Sequence, residues 1–259
     1  PWWICDEDDY NFCAYVDTDS NYFNAEPLLK HLYPNFEEMG EEEKDDVLEQ
    51  VALKYQDIIT EYYDELARDC FNVQEHRLEM KTECVIRSAY FRATRRYAQW
   101  ITKQEGIAKE SLDIKGLEFR KANFPPIFGK FFNDILEMIL KGTEQKEIDD
   151  LILNFRKKIM SLDTDIILLG NPTSGEVMTE IKKGAPANVK AAIRYNDLLR
   201  FWNIKGHSEI VQGDKIKWIY LKDNPYKIEA IGFLSFDMPD KMRTFLNDYA
   251  DRKKSFETI

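Results

Sequence analysis

The alternation of apolar and polar positions changes its period several times along this chain. Residues 11–24 set apolar side chains on both sides of a polar stretch, Asp17-Thr18-Asp19-Ser20. That pattern predicts a β-hairpin with the polar residues at its tip. Residues 41–70 follow a helical period instead: Val47/Leu48, Val51/Ala52, Tyr55, Ile58/Ile59, Tyr62/Tyr63, Leu66/Ala67 and Cys70. Glu41, Glu42 and Glu43 fall in its first turn, where carboxylates complement the helix dipole. Residues 76–103 then turn to β character through Leu78, Met80, Val85, Ile86, Tyr90, Phe91, Tyr97, Trp100 and Ile101, with Gly106 and Gly116 marking loops around it.

Beyond Pro125-Pro126 the pattern is helical again. Ile127, Phe128, Phe131, Phe132, Ile135, Leu136 and Ile139 mark one helix. Thr143 reads as the N-cap of a second, whose apolar face is Ile148, Leu151, Ile152, Phe155 and Ile159. A third is expected from Pro186 to about Trp202, a hairpin over 208–221 with Gly213 in its turn, and a last helix over 239–254. The expected class is α+β, in two parts. Residues 1–122 hold an antiparallel sheet with long helices, and 123–259 are mainly α-helical with a β-hairpin. Tyr10, Tyr62, Tyr63 and most aromatics of the helices are assigned to core packing.

Charge sharpens the division. The net charge is −11, but residues 1–80 hold 5 Lys/Arg against 22 Asp/Glu, 81–130 hold 11 against 5, and 131–259 balance. A basic segment in an acidic chain is a candidate strip for phosphate, because local potential outweighs the total. A solvated charged surface is the bland alternative. Cys5, Cys13, Cys70 and Cys84 lack C-x-x-C spacing and nearby His, which reads as a reduced intracellular protein rather than a zinc site. No apolar run approaches the roughly 18 residues of a membrane helix. The N-terminal Pro-Trp-Trp-Ile-Cys-Asp has no initiator Met and no signal-like stretch, as in a chain entered part-way through a domain.

Asp17-x-Asp19 admits several chemistries, since carboxylates two apart on a strand share a face and suit Mg²⁺. An EF-hand loop starting at Asp17 fails, with Tyr22 where glycine is needed and Leu28 where a bidentate Glu belongs. An Asp-x-Asp phosphohydrolase would use Asp17 as nucleophile and Asp19 as acid/base, though Asn21 departs from that pattern. A polar hairpin tip without chemistry is the third reading.

Tyr15-Val16-Asp17-Thr18-Asp19-Ser20 also resembles the Tyr-Gly-Asp-Thr-Asp-Ser motif of family-B DNA polymerases, with Val16 for the usual glycine. Thr94-Arg95-Arg96-Tyr97 resembles that family's Lys-Lys-x-Tyr segment, and Lys115-Gly116-Leu117-Glu118 its Lys-Gly-x-Glu link from palm to thumb. Residues 192–199 and 213–221 look like thumb segments, and the flavour is viral or phage-like. The resemblance, spread over essentially the whole chain, implies the C-terminal part of the palm (1–122) and the thumb (123–259).

The implied activity is template-directed transfer of a deoxynucleotide from a dNTP to a primer 3′-hydroxyl, through two Mg²⁺ ions about 4 Å apart. Asp19 would be the principal catalytic metal ligand and Asp17 the lesser one, with Glu83 a candidate acidic helper. Arg95 and Arg96 would hold backbone phosphates of the primer-template, Tyr97 would support the duplex, and Lys115, Arg120 and Lys121 would extend the basic track into the thumb. The first palm carboxylate and the fingers of such an enzyme are not in these 259 residues. The resemblance therefore implies an N-terminal polymerase portion, in cis or as a separate chain, and an inactive isolated chain. A sliding clamp is a further candidate partner, although Lys-Lys-Ser-Phe-Glu-Thr-Ile at the C-terminus lacks a convincing clamp-binding peptide. The other readings are a non-catalytic DNA-binding subunit and the phosphohydrolase.

Overall fold

Apolar flanks around a polar tip do make a hairpin of the first segment. In the computed structural model, which describes residues 12–17, 20–162, 164–175 and 184–257, β1 (Cys13–Asp17) pairs antiparallel with β2 (Ser20–Phe23), placing Tyr15 opposite Tyr22 and Asp17 opposite Ser20. Asp19, Thr18 and Tyr10 lie outside the described residues. The fold is α+β, with eight α-helices and three small antiparallel sheets among the described residues. It divides into two compact units, Pro1–Gly116 and Leu117–Ile259.

In the first unit, α1 (Glu26–Leu32) and the 31-residue α2 (Glu41–Phe71) close a small core of Ala25, Leu29, Phe36, Val47 and Val51. The long helix stops where Asn72 adopts a left-handed φ of 52°, a conformation asparagine tolerates. Tyr62, expected in the core, is 57% exposed. The second sheet is a meander of β3 (Cys84–Ala93), β4 (Arg96–Gln104) and β5 (Ile107–Lys115) in that order.

Two corrections follow for this stretch. Residues 76–83 are not strand. They are tied to α2, with the Thr82 N–H donating to Gln56 Oε1 at 2.7 Å and His76 Nε2 lying 2.9 Å from Asp64 Oδ1. The β region instead extends to Lys115, because Glu105 and Gly106 (φ 49° and 78°) form the two-residue, positive-φ turn that matches strand twist. The half-exposed, polar β5 lacks the apolar signature that would announce it.

The basic segment and acidic α2 answer one another. Lys103 Nζ reaches Asp46 Oδ1 at 2.5 Å and Glu49 Oε2 at 2.7 Å, and Arg87 reaches Asp45 Oδ2 at 2.7 Å and Glu41 Oε2 at 3.2 Å. Part of the charge asymmetry of the sequence is thus neutralised inside this unit.

In the second unit, α3 (Pro126–Leu140) and α4 (Gln145–Met160) cross through the stacked rings of Phe131 and Phe155, 3.8 Å apart. Thr143 does not cap α4. Its N–H bonds Met138 O at 2.9 Å and closes α3, with Gly142 at φ 71° completing the exit. After α5 (Ile166–Leu169), the third sheet runs β6 (Asn171–Ser174), β7 (Lys215–Tyr220), β8 (Ala230–Phe233).

The hairpin expected over 208–221 is therefore replaced. β7 pairs with β6 and β8, while the backbone of Ile210 is taken by both ends of the buried Asn196 amide at 2.8 Å. α6 (Ala187–Phe201) lies on β8 where Gly232 admits Ala191 and Ala192. The helix expected over 239–254 is broken into α7 (Asp240–Tyr249) and α8 (Arg252–Glu257). Tyr249 O and the Asp251 N–H bond Lys222 and Tyr220 instead, at 2.7 and 2.9 Å. Tyr195, Phe128, Ile219, Phe233 and Met242 fill the core. Among the described residues, no helix is long and apolar enough to cross a membrane.

The Ser208 N–H (2.7 Å) and then His207 (2.6 Å) hold the Asp237 carboxyl below the usual carboxylate range. A depressed folded pKa contributes stability above the ordinary carboxylate range and loses it as pH falls through the depressed value. Protection of the Ser208 amide, its exchange rate relative to an unstructured amide at the same pH, should therefore fall on that acid limb, and Asp237→Asn should abolish the pH step.

Candidate functional site

Tyr15, Tyr22, Phe91 and Tyr97 form a closed aromatic quartet joining the hairpin to the meander, with all ring centroids 5.2 to 5.8 Å apart. Tyr22 Oη and Tyr97 Oη share a 3.2 Å hydrogen bond. Burial first, and that bond second, push the Tyr22 hydroxyl well above the ordinary phenol range, so it stays protonated. Nearby Cys84 is likewise pushed up to about 11 by burial and then by Glu83.

The quartet fixes the hairpin so that its tip meets the β3–β4 turn. Arg95, at φ 59°, donates its N–H to Tyr15 Oη at 2.8 Å, and its Nε and Nη2 each lie 3.4 Å from Asp17 Oδ1. Gly116, at φ 61°, lies against the same turn, where a Cβ would come 2.1 Å from Arg95 O. Ser20 Oγ donates to Asp17 O at 3.2 Å.

The structure thus brings Asp17 and Arg95 together, sets Tyr97 beneath them as a buried ring, and leaves Arg96 exposed beside the turn. Lys115 stands across the ladder from Tyr97, 3.8 Å from Asp113 Oδ1. Glu83 is exposed just ahead of β3, near enough to Tyr22 and Cys84 to raise both. In the second unit, Arg120 ends an exposed 3₁₀ turn and Lys121 pairs with Glu118. Sequence reasoning did not single out Tyr15, Tyr22 and Phe91 as the support of the site, nor the contact of Gly116 with Arg95. Their signal is only the aromatic spacing within each strand, and the partners lie about 80 residues apart.

Carboxylate oxygens at this tip are hard donors of the kind Mg²⁺ selects. Among the described residues, no three His, Cys, Asp or Glu side chains gather as a metal-binding group. The donor chemistry fits Mg²⁺, but Asp17 alone does not complete a site.

No family model and no curated protein matches the sequence. Among solved structures, the chain is similar to the family B DNA polymerase from the hyperthermophilic archaeon Pyrobaculum calidifontis, with 14% identity and a TM-score of 0.46. The match covers 74% of this chain and 22% of that one, so the chain spans under a quarter of that polymerase's length.

Proposed function

We propose that the chain is the C-terminal palm portion (1–122) and thumb (123–259) of a family-B DNA-directed DNA polymerase of viral or phage type. What supports the reading is one juxtaposition. Asp17 of the Tyr-Val-Asp-Thr-Asp-Ser stretch meets Arg95 of the Thr-Arg-Arg-Tyr stretch within 3.4 Å, although 78 residues separate them. Nucleotidyl transfer uses carboxylates to hold metal ions and cations to hold the nucleic-acid backbone, and this contact joins one side chain of each kind.

In this reading Asp19 is the principal Mg²⁺ ligand. Asp17 is the lesser one, and acts also by orienting Arg95. Glu83 is a nearby acidic helper. Mg²⁺, when bound, supplies charge neutralisation at the triphosphate and a more acidic 3′-hydroxyl. Arg95, Arg96 and Lys115 hold backbone phosphates of the primer-template without reading bases, and Arg120 and Lys121, at the end of the palm portion, extend that track toward the thumb. Tyr97 supports the duplex through Tyr22 and the hairpin rather than by a surface contact.

A further carboxylate and the dNTP-binding fingers come from an N-terminal polymerase portion, in cis or as a separate chain, and a sliding clamp is a candidate third partner. Such an enzyme works inside the cell, in the host cytoplasm where its genome is viral. The test is to mix the chain with upstream polypeptides from the same genome and to assay Mg²⁺-dependent primer extension. The reading expects extension from the mixture alone. Duplex binding without extension in any mixture would favour a non-catalytic DNA-binding subunit. Hydrolysis of a small phosphate ester by the isolated chain would favour the Asp-x-Asp phosphohydrolase.

A further inference from the structure

We infer that Tyr15 and Gly116 are positioning residues that hold Arg95 where its guanidinium can grip a DNA phosphate beside the hairpin tip. The inference rests on the polymerase reading and deepens it. Two-residue connections between antiparallel strands favour glycine or asparagine at positive φ, yet Arg95 occupies this one at φ 59°. A long cation in a left-handed conformation persists only where its surroundings over-determine it.

Three contacts, two from β1 and one from the residue that follows β5, do so. The Tyr15 hydroxyl on β1 accepts the Arg95 N–H. Gly116, following β5, leaves room for the Arg95 carbonyl that any side chain would fill. Asp17, ending β1, accepts from the guanidinium. Tyr15 is itself immobilised, stacked at 5.2 Å on Phe91 and within 5.7 Å of Tyr22 and Tyr97.

The energetics separate positioning from stability. The Arg95 side chain is 72% exposed and its contacts to Asp17 are long, so the ion pair contributes little to folding. A guanidinium presents five donors in a planar fork, and a phosphate offers shorter, bidentate bonds than this carboxylate gives. The backbone clamp fixes where that fork starts, and Asp17 keeps it extended along the tip until the phosphate arrives.

The test uses the full chain, a labelled primer-template duplex, and affinities measured between about 50 and 200 mM salt. Arg95→Met should lower the slope of log affinity against log salt by about one, the signature of one lost phosphate contact. Tyr15→Phe keeps the ring but removes the acceptor. It should weaken binding about threefold to tenfold, reduce the slope, and add nothing to Arg95→Met in the double variant. In the DNA-free protein it should also accelerate amide exchange at Arg95. A purely structural tyrosine would shift the melting temperature and leave the slope alone. Arg95-dependent binding that is indifferent to Tyr15→Phe overturns this inference and leaves the polymerase reading intact. A wild-type chain that does not bind duplex overturns both.

Discussion

In the polymerase reading, Asp19→Ala should reduce Mg²⁺-dependent primer extension by about 10³-fold in a mixture of this chain with an upstream polymerase polypeptide. Duplex affinity should meanwhile change less than about threefold, since Asp19 contacts no phosphate in this account. The size follows from its role. Removing a principal charge-stabilising group from a reaction centre costs two to three orders of magnitude, and among the described residues no three His, Cys, Asp or Glu side chains gather as a metal-binding group that could replace it. Asp17→Asn should behave differently. It preserves shape at the tip and weakens the hold on Arg95, so a loss of about tenfold is expected, shared between rate and DNA affinity. Equal losses from the two substitutions would contradict the assignment of Asp19 as the principal ligand.

Gly116→Val should be the most damaging single change to the first unit. Its Cβ would lie 2.1 Å from the Arg95 carbonyl oxygen, and no side-chain rotation relieves this, because the backbone fixes both atoms. Positive φ adds about 1 to 2 kcal/mol for a residue with a side chain. Together with the overlap, the loss should be about 3 kcal/mol or more. Thermal denaturation should show an early transition of the hairpin-bearing unit. Gly142→Val is the matched comparison, because Gly142 has φ 71° with nothing within 4 Å, and it should cost only the about 1 to 2 kcal/mol of positive φ. Similar shifts for the two variants would mean that the close approach to Arg95 is not what Gly116 provides.

These two positions show what was legible in the sequence. The hairpin, α2 and α3 follow from their apolar periods, because each has one face to bury and length enough to display the period. β5 is half exposed and polar, so its place in the meander comes from tertiary pairing with β4 rather than from its own pattern. The strand at Lys215–Tyr220 is legible in the sequence and its partners are not, because Asn196 withdraws Ile210 from pairing and β6 lies more than 40 residues upstream. At the site, the Asp-Thr-Asp stretch and the Arg-Arg-Tyr stretch each stood out separately. That Asp17 reaches Arg95, and that Tyr15 and Gly116 clamp its backbone, depends on the register of the hairpin over the sheet. No spacing within either stretch encodes it.

The most direct measurement of the central claim is single-nucleotide addition by the reconstituted pair, with each of the four dNTPs tested on each of the four templating bases in Mg²⁺. The polymerase account predicts that only the complementary nucleotide is added, that neither chain alone adds any, and that Asp19→Ala lowers the addition about 10³-fold. Addition that ignores the templating base, or that survives Asp19→Ala undiminished, would contradict it.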